Sequence, residues 1–220
     1  MTVLAFSLIL ASGLGWSGLD WARKTLAPTI RPMPMVLLLF AGQAVLLAIY
    51  ALWRGLPAIA PAYWAPAAGS IALNLVVQVM YVRALALSPL SLTIPYLSFA
   101  PVFTTVAGMA MLGEVPESLD LAGLLLVVAG ALSLSTAENG GLGARAAMKA
   151  LLSEPGSWRM LAIAALWAVA YPLDKLAIQA SSASFHSVML TVGVLAGLLL
   201  ALGWRGRLGE LKDYRCRPGP

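Results

Sequence analysis

The sequence is poor in charge. Only 10% of its 220 residues are Asp, Glu, Lys or Arg, against roughly 25% in a typical soluble domain. Too little charge is left to coat a surface facing water. It has a single cysteine, Cys216, which excludes an internal disulfide and lies in a polar tail. It has a single histidine, His186, which excludes a histidine-rich metal site. Neither a metal-ligand cluster nor a Ser/His/Asp constellation is present, so no cofactor, no metal and no enzymatic activity are expected. No Lys or Arg precedes the first apolar run and no small-residue cleavage site follows it, so that run reads as a retained first span rather than a signal peptide.

Apolar residues fill the space that charge leaves. They make up 60% of the chain, and the mean hydropathy is +0.88. A helix needs about 20 mostly apolar residues to cross a hydrocarbon core. Seven segments qualify: 3–21, 33–53, 65–86, 89–112, 118–136, 158–178 and 184–204. These runs are long and continuous rather than short and alternating, which favours helices over the strands of a barrel. Trp53, Tyr63, Trp64, Trp158 and Trp204 fall at span ends, where amphipathic rings favour the membrane interface. The net charge of +5 is modest and its basic residues flank the spans, so the expected surroundings are a lipid bilayer and not a nucleic acid.

The beginning of the chain recurs near its end. Trp16 and Trp167, Lys24 and Lys175, Gly42 and Gly193, and the triplets Trp53-Arg54-Gly55 and Trp204-Arg205-Gly206 all pair at one spacing of about 151 residues without a gap. Chance supplies one or two identities among apolar residues, but tryptophans and basic residues recurring in one register are far rarer. Such self-similarity in an apolar chain signals internal repeats. The longest connection, 137–157, is the natural boundary, and Arg145 to Lys149 within it reads as a short helix lying on the membrane surface. Residues 1–136 then form a first repeat of five spans, 158–210 a partial second repeat of two, and 211–220 a polar tail. An odd span count inserts the second copy upside down. The expected fold is therefore all-α, a polytopic membrane helix bundle of about seven spans with an inverted, incomplete second repeat. On the same offset the third span would recur from about residue 216, where the chain instead reads Cys216-Arg217-Pro218-Gly219-Pro220. The chain is accordingly expected to be a truncated form of a ten-span protein. Basic residues cluster after odd-numbered spans, which on a literal count places the N-terminus outside.

Residues 82–136 carry a resemblance. They run from Val-Arg-Ala-Leu-Ala-Leu-Ser-Pro-Leu-Ser through Leu-Gly-Glu-Val-Pro to Ala-Gly-Leu-Leu-Leu-Val-Val-Ala-Gly. This stretch is similar to the third-to-fifth-span signature of EamA-type members of the drug/metabolite transporter superfamily, and Trp16 and Trp167 match the family's first-span tryptophan. The resemblance implies ten spans in two inverted five-span repeats, both termini in the cytoplasm, and transport of small organic metabolites or drugs. With no targeting extension, a bacterial cytoplasmic membrane is the expected location. The expected mechanism is alternating access; the alternative is a non-transporting remnant, or a subunit whose partner completes the bundle.

Candidate solute-binding residues follow from polarity inside apolar spans, which is costly in lipid and normally faces a cavity or a partner helix. Asn74, Gln78 and Tyr81 share one face of the third span; a solute-contacting stripe and interhelical hydrogen bonding both explain them. Lys24 and Lys175 suit attraction of an anionic solute from opposite sides, or lie as snorkelling lysines at helix ends. Asp20 and Asp174 lie near them as local salt-bridge partners. Trp16, Trp167 and Tyr171 form an aromatic wall or pack against neighbouring helices. Tyr96 lies between Pro95 and Pro101, which interrupt the fourth span; Pro172 is placed to do the same in the sixth. Glu114 reads as structural, and Ser118 as the N-cap of the fifth helix. Ala122-Gly123, Ala129-Gly130 and the Gly193/Gly197 pair mark close helix contacts and a possible homodimer face. No span carries an acidic residue near its middle, so facilitated diffusion or solute exchange is expected rather than proton drive through a buried carboxylate.

Overall fold

The structure, a computed structural model, describes residues 3–26, 29–87, 94–138, 155–206 and 208–211. Seven α-helices occur among them: α1 (Val3–Leu26), α2 (Pro32–Arg54), α3 (Trp64–Leu87), α4 (Ala100–Leu112), α5 (Ser118–Glu138), α6 (Pro155–Gln179) and α7 (Ala183–Trp204). Short 3-10 turns occupy Pro61–Tyr63, Ile94–Phe99 and Leu208–Leu211. The chain is an all-α membrane helix bundle, as its apolar runs require.

Among the described residues, four stretches are long and apolar enough to span a membrane: Met33–Arg54, Pro61–Tyr81, Gly156–Gln179 and Ala183–Trp204. Only 22–33% of each is buried inside the bundle. The outward faces are therefore apolar too, which suits hydrocarbon because helices satisfy their own backbone hydrogen bonds there. Serines and threonines on these helices turn their hydroxyls back on carbonyls four residues earlier, as Ser187 does to Ala183 and Thr191 to Ser187, both at 2.8 Å.

The packing centres on α3 and α6. Helix α6 lies against α3, α4 and the Ile94–Phe99 turn, while α7 lies against α2 and α3. Val77, Ala84, Tyr96, Met160 and Ile163 form one buried cluster; Val36, Leu37, Val194, Leu198 and Leu202 form a second. Close approach of α7 to α3 depends on glycine. A β-carbon at Gly193 would lie 2.7 Å from Ile71 Cδ1, and one at Gly197 would lie 2.9 Å from Leu75 Cδ2. The Gly193/Gly197 pair is thus used within the chain. Gly123 and Gly130 on α5 have nothing within 4 Å among the described residues.

The fourth span is interrupted where the prolines fall. Ile94–Phe99 winds as a 3-10 turn, α4 starts anew with Pro101 in its first two positions, and it ends at Gly113, whose φ of 68° is left-handed. Thirteen residues of α4 reach about 20 Å, short of the roughly 30 Å of a hydrocarbon core. Pro172, by contrast, lies inside a continuous α6. Ser118 is the first residue of α5 rather than its cap; Asp120 does the capping, its carboxylate accepting the Glu117 N–H at 2.9 Å. The surface helix expected at Arg145 to Lys149 and the tail from 212 onward lie outside the described residues.

The two Trp-Arg-Gly triplets occupy the same local structure. Each ends a helix, and Gly55 (φ 85°) and Gly206 (φ 64°) both take positive φ. Gly55 N–H donates to Leu52 at 3.3 Å and Gly206 N–H to Gly203 at 3.0 Å, partners that share the sequence offset. The helices they end, α2 and α7, pack on each other. Trp53, Trp64, Trp158 and Trp204 are all exposed, but Tyr63 is fully buried. It is a core residue and not an interfacial ring, and its partner explains why.

Candidate solute site

A chain of polar side chains runs across the α3–α6–α7 junction. Trp167 on α6 donates its indole N–H to Asn74 Oδ1 at 3.3 Å. Asn74, on α3, donates its amide to Ser70 Oγ at 3.2 Å and to the Ser70 carbonyl at 3.0 Å. Ser70 Oγ donates to Asp174 Oδ1 on α6. His186 Nε2 reaches the same oxygen at 3.0 Å, and Tyr63 O–H lies 3.3 Å from His186 Nδ1. Polar groups buried without partners cost about 1–3 kcal/mol each, and among the described residues no buried side-chain nitrogen or oxygen lacks one.

The polarity of this chain follows from donor chemistry. An ionised carboxylate only accepts, so the ring nitrogen facing Asp174 carries the hydrogen. The other ring nitrogen is then bare, and Tyr63 donates to it. Every donor is used when Asp174 is ionised and His186 is neutral. Tyr63 and Ser70 are fully buried, His186 is 2% exposed, and Asp174 keeps 24% of its side chain open.

Local sequence sets these positions. Ser182 caps α7, its Oγ accepting the Phe185 N–H at 3.2 Å. The Ala180–Ser182 connection is short, so α6 and α7 reverse direction over three residues and bring Asp174 and His186 to similar depth. Ala60 N–H donates to the Ala180 carbonyl at 3.0 Å, which ties the Pro61–Tyr63 turn to this reversal. The Tyr63 ring packs on Phe185 at 5.4 Å and edge-on to His186 at 5.8 Å.

Of the nine residues expected to bind solute, the structure brings four together. Asn74, Tyr81, Tyr96 and Trp167 meet between α3, α6 and the Ile94–Phe99 turn. The Tyr81 and Trp167 rings lie 6.4 Å apart, and both pack against the cluster that contains Tyr96. Gln78 is half-buried on the face of α3 it shares with Asn74, and no hydrogen bond joins it to a described residue. Tyr171 is exposed. Lys175 points to the end of α4, where its Nζ pairs with Glu114, both side chains half exposed. Trp16 and Lys24 belong to α1, and their side chains lie outside the described ones.

Sequence reasoning passed over Tyr63, Ser70 and His186, and treated Asp174 as a local salt-bridge partner of a lysine. The available signal was the short Ser181-Ser182 turn between two apolar spans, which makes residues on either side of it neighbours.

An all-α bundle of apolar spans with a polar and aromatic core defines a multi-pass membrane protein. Residues 3–136, more than half of the chain, match the EamA-like transporter family, and the chain belongs to that family. It is a membrane transporter of the drug/metabolite superfamily. No curated protein and no solved structure matches it. The family match covers Ser70, Asn74, Tyr81 and Tyr96; Trp167, Asp174 and His186 lie beyond it.

Proposed function

We propose that the protein is a secondary carrier of small organic metabolites or drugs in a bacterial cytoplasmic membrane. It moves its solute by alternating access, with the duplicated segments around Trp16–Lys24 and Trp167–Lys175 facing opposite leaflets. The observation that carries this reading is the half-buried group Asn74, Tyr81 and Trp167, with Tyr96 beside it, between otherwise apolar helices. Hydrogen-bonding groups among aromatic faces suit an organic solute with a planar or apolar body and a few polar atoms. The interrupted backbone around Pro95 and Pro101 borders this group, as broken helices border many transporter sites. The charge of Lys175 is met by Glu114 in this conformation, so an anionic solute would have to displace that carboxylate.

Reconstitution into liposomes tests the proposal. Saturable uptake of at least one member of a panel of amino acids, nucleobases, sugar phosphates and amines is expected. Trp167→Ala and Asn74→Ala should each lower it about tenfold or more, the effect of losing roughly 1.4 kcal/mol of binding. Uptake no faster than in empty liposomes across the panel, with folded protein in the bilayer, would refute the carrier reading.

A further inference from the structure

We propose that Asp174 and His186 form a proton-binding site, and that its occupancy is passed through Ser70 and Asn74 to Trp167. The link to solute movement rests on the carrier reading; the proton site does not. Three observations carry it. Two titratable groups of opposite charge type meet at 3.0 Å in the bundle. Nearly closed around His186, the packing leaves a quarter of the Asp174 side chain open. Every hydrogen bond from Trp167 and from Tyr63 runs toward the same Asp174 oxygen.

One added proton reverses part of that order. Delivered by solvent hydronium, it comes to rest on His186 Nδ1, leaving an imidazolium beside a carboxylate; one N–H bond forms and the site gains one positive charge. Tyr63 then has to accept from Nδ1–H, which reverses donor and acceptor at its hydroxyl. The charged ring binds the shared Asp174 oxygen more strongly and competes there with Ser70. Asn74 and Trp167 lose the fixed acceptor order that holds them. Imidazole suits this role because its ordinary pKa, about 6.5, lies within the range of cellular pH gradients.

Among the described residues, the charged and titratable groups around the pair are few. From α6, Asp174 faces the ring, and Lys175 beside it is engaged by Glu114 of the α4 end. The Pro61–Tyr63 turn contributes Tyr63. On α2, Tyr50 and Arg54 line a depression at the N-terminus of α7 with Ser182, Ser184 and Ser187. The face that α3 turns to the pair carries the uncharged Ser70 and Asn74, and the Leu208–Leu211 turn follows the other end of α7. The expectation against proton drive looked only at mid-span carboxylates. Asp174 lies near the end of α6 and gains its partner only when α7 folds back.

Because His186 is the only histidine, ring-15N-histidine labelling of the full chain in lipid nanodiscs reads this site alone. The wild-type ring should pass from the Nε2–H neutral form to the doubly protonated form as the pH is lowered. The Trp167 indole N–H, assigned with Trp167→Phe, should shift with the same midpoint. Asp174→Asn keeps the acceptor for Ser70 and His186 but removes the charge, so it should change the ring titration and silence the pH response of Trp167. A ring that stays neutral down to the lowest pH at which the protein remains folded, a titration unchanged in Asp174→Asn, or a Trp167 signal that ignores pH would each overturn the proposal. In liposomes, an imposed pH gradient should stimulate uptake of the transported panel solutes, and His186→Gln should reduce that stimulation at least tenfold. Undiminished stimulation in His186→Gln would overturn the coupling. Absence of all uptake while ring and indole co-titrate would instead remove the carrier reading and leave the proton site standing.

Discussion

Replacing Gly193 with alanine tests the close approach of α7 to α3. The new methyl would sit 2.7 Å from Ile71 Cδ1, 3.0 Å from Cγ2 and 3.1 Å from Cγ1. Carbon atoms pack best at about 3.5–4.0 Å, so the two helices must separate by roughly 1 Å, or Ile71 must leave its place. Rotation of its terminal methyl alone does not clear three carbons. Overpacking of this size costs about 1–3 kcal/mol. Alanine in place of glycine returns about 0.5–1 kcal/mol through helix propensity. The net expectation is a loss of about 1 kcal/mol, roughly a fivefold shift of the folding equilibrium. Gly123→Ala is the control, since no described residue would lie within 4 Å of the added methyl; it should be neutral or stabilising. Unfolding by SDS titration in mixed micelles, followed by circular dichroism, measures both. Adding Ile71→Ala to Gly193→Ala should relieve the clash and show favourable coupling between the two sites. Equal stability of Gly193→Ala and Gly123→Ala, or no coupling with Ile71→Ala, would refute the packing argument.

Other expectations are simpler. Asn74→Ala removes the acceptor of the Trp167 indole and a donor to Ser70, and should cost about 1–3 kcal/mol in the same SDS titration, with faster hydrogen exchange of the indole N–H. Lys175→Ala and Glu114→Ala break a half-exposed pair, so a double-mutant cycle should give a coupling below about 1 kcal/mol; a larger value would mean the pair locks α6 to the end of α4. Asp120→Ala removes the cap of α5 and should cost about 0.3–1.5 kcal/mol, measured as a fall in thermal midpoint, with Glu117→Ala as a control that retains the backbone donor.

Span positions were legible because they depend on local composition. The runs 33–53, 65–86 and 184–204 became helices 32–54, 64–87 and 183–204, for lipid leaves an apolar segment of that length no other way to satisfy its backbone. The break in the fourth span was legible for a similar reason, since proline acts within its own turn of chain. Ser118 was misread because Asp120 offers a charged acceptor from inside the helix, and a charged acceptor binds a backbone N–H more strongly than a hydroxyl does.

The polar site divides along the same line. Asn74 and Tyr81 could be placed on one face by their spacing alone, and Trp167 stood out by its repeat. That Asn74 meets Trp167, and that Gly193 and Gly197 lie against α3, depends on which helices pack together. His186 taken alone was a residue at a helix start, and Asp174 a carboxylate beside a lysine. Backbone hydrogen bonding in an apolar medium fixes each helix from its own residues. A side-chain chain through Tyr63, His186, Asp174, Ser70, Asn74 and Trp167 exists only once α3, α6, α7 and the Pro61–Tyr63 turn are packed together, because its links join α3 to α6, α6 to α7 and α7 to that turn.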